Sequence, residues 1–509
     1  MAEPLWKWDE LVTATGGIAE GAAAGGVTGV SIDTRTLQKG DLFVALRGDN
    51  QDGHVYVSKA FETGAGAALV GNEFVTPAGS GPLMRVDDTL KAMERLGVAA
   101  RARLSPEARI IAVTGSVGKT STKEMLRLCL SSVDPHTHVS EQSYNNHWGV
   151  PLTLARMPRN TKYGVFEIGM NHAGEIAPLT KFVRPHVVII RDVGPAHIEY
   201  FGTIDKIIDA KAEIMLGLND LEGDLVPRIA ILEKMRDGLE ALSLKAHYAG
   251  AAVLYSGNKL GNPPLTPHYA LINFESAYNG RTSKFNCSVI GRHLTVELGA
   301  AGVHQVKNAI ASIGACQALG LDPGAVVGAL KKFKSGDGRG SWSEYPVNQR
   351  SVILINESYN ANPLSMEAAL ESLWYSFAGR NDVRRIAVLG DMRELGSHSE
   401  FYHRRLAEKI FYSHAASVYL CGEHMRKLAD EFERIMDHGS DLGVELGAQI
   451  KEDLEGRIFH SARPQDLISP LLAAIAPGDV IMIKGSLGTR MAPIVEAVKK
   501  HLTEWEKQK

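Results

Sequence analysis

The sequence has few cysteines, and their spacing excludes two kinds of protein. Only four occur among 509 residues, Cys129, Cys287, Cys316 and Cys421, and no two form a CxxC pair. Such wide spacing argues against a disulfide framework and against a cysteine zinc site. We therefore expect four buried thiols in a reducing cytosol.

The chain also lacks an excess of charge of either sign and any long apolar run. Its 55 lysines and arginines against 58 aspartates and glutamates give a net charge of −3. No general affinity for nucleic acid or for an anionic membrane is expected from that balance. No stretch approaches the roughly 18 apolar residues of a membrane span, and the first residues lack the pattern of a secretion signal. A cytoplasmic protein is predicted.

The length predicts about three domains, because a single core stops growing at roughly 250–300 residues. Short strands with glycine turns fill residues 1–85, which we interpret as a small N-terminal α/β domain. Residues 86–334 contain a first series of strands and helices. A glycine-rich stretch at 336–341 is predicted to be a hinge or loop into a second α/β domain over 335–509.

Short apolar runs that end in glycine or aspartate recur along the chain, each followed by a helical pattern. This rhythm is typical of parallel α/β units. Segment 260–291 departs from it with a polar alternation that favours antiparallel strands. Apolar residues from Met366 to Phe377 share one helical face, and Ser365 is the expected N-cap of that helix. The runs lie at 108–115, 164–169, 186–193, 385–392, 416–422 and 479–486.

The sharpest local signal is a phosphate loop at 114–121, which reads TGSVGKTS and lies between a strand and a helix. Its glycines let backbone N–H groups point at phosphate oxygens, and the helix N-terminus adds partial positive charge. Lys119 is expected at the β/γ-phosphates and the Thr120 hydroxyl on Mg²⁺. Val113 stands where the full pattern has glycine, so this is the shorter G-x-x-G-K-T form. The expected ATP contacts here are Gly115, Ser116, Val117, Gly118, Lys119, Thr120 and Ser121.

Such a loop is compatible with a kinase, a motor, a GTPase or an ATP-dependent ligase, and an ordinary glycine-rich turn is the structural alternative. Further motifs in chain order decide between them. With the loop, they resemble the Mur ligase family, whose members join an amino acid or peptide to a UDP-muramoyl precursor of peptidoglycan. The motifs are SYNNHWGVP (143–151), FEIGMNHAGEI (166–176), GPAHIEYFG (194–202), DAKAEI (209–214), GVHQVKNAIAS (302–312), GRGS (338–341), SYNANPLSM (358–366), AVLGDMRELG (387–396) and KGSLGTRM (484–491).

Three of these motifs, SYNANP, LGDMxELG and KGSxxxRM, are similar to the branch of the family that adds D-alanyl-D-alanine. The Asp-Asn-Pro-Arg element of the diaminopimelate-adding branch is absent. The resemblance implies ATP-dependent ligation of D-alanyl-D-alanine to UDP-N-acetylmuramoyl-tripeptide through an acyl phosphate, with release of ADP and phosphate. It also implies a monomer with three domains, the central one a parallel-sheet P-loop ATPase and the C-terminal one Rossmann-like.

The resemblance implies two Mg²⁺ sites. Glu167, at the end of a strand, would join Thr120 at the first, since Mg²⁺ prefers oxygen ligands. His197 resembles the family histidine at the second. Lys211 resembles the lysine that the family carbamylates with CO₂ to make an oxygen ligand. That reaction needs a neutral amine, and a free lysine has a pKa of about 10.4, so burial or nearby charge must lower the pKa of Lys211.

The remaining contacts are also implied by the resemblance. His304 and Asn308, four apart on one helix face, would border the adenine. The C-terminal domain would reach the nucleotide through Arg339, Glu357 and Asn360, with Tyr359 and Asn362 in the same cleft; the family usually carries aspartate at the position of Glu357. The expected substrate contacts are Ser31, Thr34 and Arg35 for the uridine diphosphate, Asn145 and Asn146 for the muramoyl peptide, and Lys484, Ser486 and Arg490 for a peptide carboxylate.

One stretch departs from the family pattern, because an Asn-x-Asp that borders the nucleotide is replaced here by Glu233 and Met235.

Two other hypotheses about the function stay open on the sequence. A folylpolyglutamate synthase would share the central chemistry but should lack the uridine-like N-terminal domain. A catalytically idle nucleotide-binding protein of the same fold is the other, although Lys119, Glu167, His197 and Lys211 are all present.

Overall fold

The computed structural model describes residues 3–48, 51–77, 80–218, 228–233, 238–258, 267–276, 281–380, 382–438 and 444–507. Three β-sheets follow one another along the chain. Four strands of the first sheet are parallel and its edge strand β1 is antiparallel, in the order β1-β5-β4-β3-β2. Its elements are α1 (Trp8–Thr15), β1 (Ile18–Glu20), β2 (Val30–Ser31), β3 (Leu42–Val44), α2 (Val57–Thr63), β4 (Ala67–Gly71) and β5 (Leu83–Val86).

The second sheet has nine strands in the order β14-β13-β12-β11-β10-β9-β6-β8-β7. Its strands are β6 (Arg109–Thr114), β7 (Thr137–Val139), β8 (Tyr163–Glu167), β9 (Val187–Ile190), β10 (Ile229–Glu233), β11 (Ala252–Asn258), β12 (Tyr269–Ser276), β13 (Ser283–Val289) and β14 (Arg292–Leu298). The helices are α3 (Thr89–Ala102), α4 (Lys119–Ser131), α5 (Gly149–Ala155), α6 (Ile176–Val183), α7 (Ile198–Phe201), α8 (Ile204–Ala212), α9 (Leu239–Tyr248), α10 (Val303–Ala318) and α11 (Pro323–Val326).

Strands β6 to β12 are parallel, and β12, β13 and β14 pair antiparallel, as the alternation of that segment predicts. Residues 259–266 and 277–280, which fall within or beside the segment, lie outside the described residues. The order places β6 between β8 and β9, with β10 on the far side of β9. Because these strands are parallel, their carboxyl ends meet at one edge of the sheet, where ligands of α/β folds bind.

The third sheet has the order β15-β16-β20-β17-β18-β19, with only β15 antiparallel. Its strands are β15 (Ser341–Val347), β16 (Arg350–Glu357), β17 (Arg384–Gly390), β18 (Ala415–Cys421), β19 (Ile458–Ser461) and β20 (Asp479–Lys484). The helices are α12 (Pro363–Tyr375), α13 (Ser399–Arg404), α14 (Leu406–Tyr412), α15 (Met425–His438), α16 (Val444–Leu454), α17 (Pro464–Ala474) and α18 (Ala492–Lys507). The parallel α/β class predicted from the sequence is therefore confirmed.

The N-cap predicted for helix α12 is wrong by three residues. Asn362 caps the helix, since its side chain accepts from the backbone N–H of Ser365, and Ser365 Oγ accepts from the N–H of Asn362 in return, both at 2.9 Å. Pro363 explains the earlier start, because its fixed φ suits the first helical position and its missing N–H leaves no donor unpaired there.

Buried side chains join the three sheets into one packed body. One continuous apolar cluster runs from Trp6 through the central sheet to Met482. The Trp6 indole donates to Ala155 O at 2.8 Å, which ties the N-terminal segment to helix α5. All four cysteines are buried and unpaired, as expected. In the described part of the chain, no helix combines the length and apolarity needed to span a bilayer.

Candidate functional site

The predicted phosphate loop connects the buried strand β6 to the start of helix α4. Gly115 and Gly118 have φ of 151° and 80°. A Cβ on Gly115 would lie 2.7 Å from Arg191 Cβ, and one on Gly118 would lie 2.5 Å from Asn308 Oδ1. Both conformation and space therefore require glycine at these two positions.

Lys119 is the first residue of helix α4, and its Nζ donates to Gly115 O at 2.8 Å, across the loop. Burial lowers the pKa of Lys119 below its ordinary value. The carboxylate of Glu167 opposes this shift, and the nearby guanidinium of Arg339 lowers the pKa further. A poorly solvated cation at a helix N-terminus binds anions well. The loop therefore has the electrostatics of a phosphate site.

Glu167, at the carboxyl end of β8, is only 1% exposed. One of its oxygens accepts from Thr120 Oγ1 at 2.9 Å and the other accepts from Asn145 Nδ2 at 2.7 Å. These neighbouring oxygens of Thr120 and Glu167 are the hard donors that Mg²⁺ prefers, so the two residues fit a magnesium ion beside bound phosphates. Among the described residues, no three His, Cys, Asp or Glu side chains converge as a metal site by themselves.

A buried ion pair lies beneath the loop, and Arg191 in it was missed by sequence reasoning. Arg191 directly follows strand β9, and Glu233 is the last residue of the neighbouring strand β10. A terminal nitrogen of Arg191 lies 2.9 Å from Glu233 Oε2, and both side chains are almost fully buried. Arg191 Nε also donates to Asn308 Oδ1 at 3.1 Å. The pair thus ties the phosphate-loop side of the cleft to helix α10. Met235, which with Glu233 departs from the family pattern, lies outside the described residues.

Asp192, next to this pair, was also missed, and it lines the same cleft. Burial and the negative charge of Glu233 raise the pKa of Asp192 to about 6, although the cations Lys307 and Arg191 lower it. The signal that could have found both residues is their place at the carboxyl end of the predicted run 186–193, because strand ends at this edge of a parallel sheet carry ligand-binding side chains.

The C-terminal domain closes the cleft with cations and amides. Arg339 lies over the ring of Tyr359 at 3.9 Å and donates to Ser143 Oγ of the central domain at 2.9 Å. Lys484 Nζ, almost fully buried, bonds to Glu357 Oε2 at 3.2 Å and to Asn360 O at 3.0 Å. This arrangement gathers residues from β16, β20 and the predicted hinge onto the face of the phosphate loop.

His304 faces the same region from helix α10, directly after Val303, the first residue of that helix. Burial lowers the pKa of His304, and the positive charges of Lys484 and Lys307 lower it too, while Glu357 opposes them. A neutral imidazole at this point is suited to packing against, or bonding with, an uncharged heterocycle.

His197 precedes helix α7 with a left-handed φ of 62° and lines the cleft. Its Nδ1 lies 2.5 Å from Glu394 Oε2, a residue of the C-terminal domain that sequence reasoning missed. The close contact with His197 holds the pKa of Glu394 below its ordinary value despite burial. No sequence signal links residues almost 200 positions apart, so only the fold reveals this contact.

Lys211 lies on the inner face of helix α8 and is 3% exposed. Burial lowers its pKa well below the ordinary lysine value, and the nearby cation Lys119 lowers it further. Within the described ranges its amine has no hydrogen bond or ion pair. A buried, unpaired amine is chemically unusual, and its lowered pKa favours the unprotonated form that CO₂ addition requires.

These residues surround one cleft of about 550 Å³ between the central and C-terminal domains. That volume lies within the range of small-molecule sites. Gly115 and Lys211 are not among the residues that line the cleft. The predicted residues that line it are Ser116, Val117, Gly118, Lys119, Thr120, Ser121, Asn145, Glu167, His197, His304, Asn308, Arg339, Glu357, Tyr359, Asn360, Asn362 and Lys484.

Six predicted substrate residues are not part of this lining. In the N-terminal domain, Ser31 Oγ donates to Asp33 O at 3.0 Å. The exposed Arg35 forms a bidentate pair with the Asp33 carboxylate, and Thr34 lies between Asp33 and Arg35 in the chain. Asn146 Oδ1 accepts from Gly149 N at 2.9 Å and so caps helix α5.

The other two residues outside the lining belong to the loop after β20. Ser486 Oγ bonds to Ala361 O at 3.2 Å, and Arg490 is exposed, with no ion pair among the described residues.

Three family descriptions match the chain: "Mur ligase family, catalytic domain" over 26–100, "Mur ligase middle domain" over 113–316, and "Mur ligase, glutamate ligase domain" over 345–487. The chain is 31% identical to the UDP-N-acetylmuramoyl-tripeptide--D-alanyl-D-alanine ligase of Escherichia coli, covering 93% of this chain and 94% of that protein. It is 30% identical to the Bacillus subtilis ligase of the same name, covering 92% and 93%. A crystal structure of MurF from Acinetobacter baumannii superposes with a TM-score of 0.74 at 25% identity, covering 96% of this chain and 98% of that one.

Proposed function

The chain belongs to the Mur ligase family, and from that premise we propose that it joins D-alanyl-D-alanine to UDP-N-acetylmuramoyl-tripeptide, converting ATP to ADP and phosphate. The observation that carries the proposal is the cleft in which a phosphate loop faces loops of a C-terminal domain. The chain matches relatives named for this reaction over more than nine-tenths of its length. The product is the UDP-muramoyl-pentapeptide precursor of peptidoglycan, and the ATP requirement fits a cytoplasmic enzyme.

The proposed reaction has two steps, and both concentrate negative charge. The tripeptide carboxylate attacks the γ-phosphorus of ATP, which gives an acyl phosphate and ADP. The amine of D-alanyl-D-alanine then attacks the acyl carbon, and phosphate leaves. Lys119 and Arg339 lie close to each other at the phosphate loop, where two fixed cations stabilise this charge without reorganising.

Thr120 and Glu167 would hold Mg²⁺ at the triphosphate. When bound, the ion would neutralise phosphate oxygens. The hydrogen bond from Asn145 fixes the Glu167 carboxylate for this role. His197 and Lys211 belong to the proposed second site. We propose that Lys211 is N-carbamylated, since its buried, unpaired amine has a lowered pKa, and the carbamate would supply an anionic oxygen.

The nucleotide would extend from the phosphate loop toward helix α10. His304 and Asn308 are proposed to border the adenine, with Glu357 and Asn360 reaching over from the C-terminal domain. The uridine diphosphate is assigned to the N-terminal domain at Ser31, Thr34 and Arg35, and the muramoyl peptide to the region of Asn145 and Asn146. Domain limits near residues 85 and 334 fit the first sheet, which ends at Val86, and the third, which begins at Ser341.

The direct test is phosphate release from ATP and Mg²⁺ with UDP-N-acetylmuramoyl-tripeptide, with and without D-alanyl-D-alanine. Release that needs both substrates is the expected outcome. Equal release with another amino acid in place of the dipeptide would contradict the specificity. Glutamate-dependent turnover of a folate would instead favour the folylpolyglutamate synthase hypothesis, and ATP binding without turnover would favour the idle protein.

We expect Arg490 to bind the dipeptide carboxylate, because it is the unpaired cation on the loop after β20, whereas Lys484 and Ser486 are bonded to Glu357 and Ala361. Its φ of 55° suits asparagine, so Arg490→Asn removes the charge without backbone strain. The KM for D-alanyl-D-alanine should rise about tenfold or more, the usual effect of losing a charged hydrogen bond. Steady-state kinetics should show an unchanged KM for ATP.

The matched control is Lys500→Asn, which removes an exposed cation of helix α18. It should leave both KM values unchanged. A rise in the ATP KM of the Arg490 variant equal to that for the dipeptide would show that Arg490 does not act at the dipeptide.

A further inference from the structure

The loop after β17, residues 391–396, is fixed from several directions. Asp391 Oδ1 accepts from Met425 N at 2.8 Å. Met392 N donates to His403 Nε2 at 3.1 Å, and Arg393 N donates to Ser486 Oγ at 3.0 Å. The loop therefore holds one conformation on the C-terminal domain.

His403 is itself held in one tautomer. Its Nδ1 faces Ser399 O at 2.7 Å, and since a carbonyl only accepts, that nitrogen carries the proton. Nε2 is then free to accept from Met392. One ring nitrogen of this buried histidine thus anchors the ring to helix α13, and the other holds the loop.

Glu394, near the tip of this loop, reaches across to the central domain. It has a left-handed φ of 62°, rare for glutamate. Its backbone O accepts from Glu199 N at 3.1 Å, and its Oε2 lies 2.5 Å from His197 Nδ1. Gly396, with φ of 50°, packs against Glu199 beside it. Backbone and side chain thus dock the loop on the start of helix α7.

The contact decides which nitrogen of His197 is available to the cleft. The negative charge of a carboxylate 2.5 Å from Nδ1 favours the proton on that nitrogen, as in carboxylate–histidine pairs at metal and catalytic sites. Nε2, with its lone pair, is then the nitrogen left for a ligand in the cleft that His197 lines. The carboxylate comes from a different domain, so the arrangement exists only while the two domains are docked.

We propose that Glu394 is a positioning residue of the ligase, which acts by fixing the ring orientation and tautomer of His197 across the domain interface. Its strained backbone and the bonds that hold its loop serve that contact. The kinetic consequence rests on the function proposed above, whereas the tautomer is a property of the protein alone.

The kinetic test uses Glu394→Asn and Glu394→Gly, because both residues accept the positive φ and leave the loop backbone unstrained. We expect kcat to fall about 10- to 100-fold, the usual effect of losing the partner of a functional histidine, with the KM for ATP changed less than twofold. The same substitutions made in His197→Ala should lower kcat little further. Glu400→Asn, on the surface of helix α13, is the control and should match the wild type.

A readout independent of turnover is the ¹⁵N spectrum of the imidazole rings at pH 8.5, with His197 assigned by its loss in His197→Ala. The wild type should show His197 protonated at Nδ1, and both Glu394 variants should move population to the Nε2 form. A wild-type His197 protonated at Nε2, or variants with unchanged tautomer, would overturn the proposal. Additive kcat losses in the double variants would overturn it too. A wild type that lacks substrate-dependent turnover would contradict the proposed function, and the tautomer would still decide the role of Glu394.

Discussion

Lys119→Ala is expected to lower kcat for ATP-dependent phosphate release by about 10³-fold, at the upper end of the effect of removing one donor to developing charge. The amine lies across the phosphate loop, 2.8 Å from Gly115 O, in a half-buried position within the cleft. No other described side chain holds a cation in that place. The nearby Arg339 is bonded to Ser143 and stacked on Tyr359, so it should not substitute for the lost charge.

The control for this substitution is Lys332→Ala, which removes an exposed lysine of the same domain. Phosphate release and thermal unfolding should be compared for the wild type and both variants. The Lys119 variant should unfold at or above the wild-type temperature, because desolvation lowers the pKa of this half-buried amine and its charge therefore costs stability at neutral pH. Retention of more than a tenth of the wild-type kcat would contradict a role at the transferred phosphate.

Local sequence was sufficient wherever the chemistry follows directly from a strand end. The phosphate loop and Glu167 fall at the ends of β6 and β8, and the cleft contains Lys119, Thr120 and Glu167 as a group. The parallel rhythm and the antiparallel edge of the central sheet were predictable for the same reason, because side-chain period and turn residues are local properties.

Contacts between distant segments were not predictable. Arg191 meets Glu233 because β9 and β10 are neighbours in the sheet, and Glu394 meets His197 because two domains dock. Short polar residues posed a different difficulty. Asn146 caps a helix and Ser486 bonds to Ala361 O, and in sequence a cap and a ligand look alike. The missed N-cap at Asn362 has the same origin.

Lys211→Met is expected to abolish most activity and to stabilise the fold. Methionine fills a similar volume but cannot add CO₂, so kcat should fall about 10²- to 10³-fold if the carbamate is an anionic partner of the reaction. Bicarbonate should restore activity to a CO₂-depleted wild type and have no effect on the variant. ¹³C-bicarbonate labelling should give a carbamate signal in the wild type alone.

The matched control lies on the same helix. Lys206 is exposed on α8, whereas Lys211 is buried, so Lys206→Met changes the same residue type without touching the cleft. It should keep wild-type kcat and its bicarbonate response. Activity of Lys211→Met within twofold of the wild type would show that Lys211 only fills space.

The stability change has a definite sign with pH. Because the pKa of Lys211 is far lower in the folded chain, the unfolded chain binds more protons below about pH 10.4, and that side chain makes unfolding easier as the pH falls. Lys211→Met removes this cost. Its midpoint of unfolding should exceed that of the CO₂-depleted wild type near pH 7 by about 1 °C for each kcal/mol gained, given the length of the chain. The difference should shrink as the pH rises toward and past about 10.4, because the lysine of the unfolded chain then loses its proton as well. A difference that is independent of pH would mean that packing, rather than the charge of the amine, sets the stability.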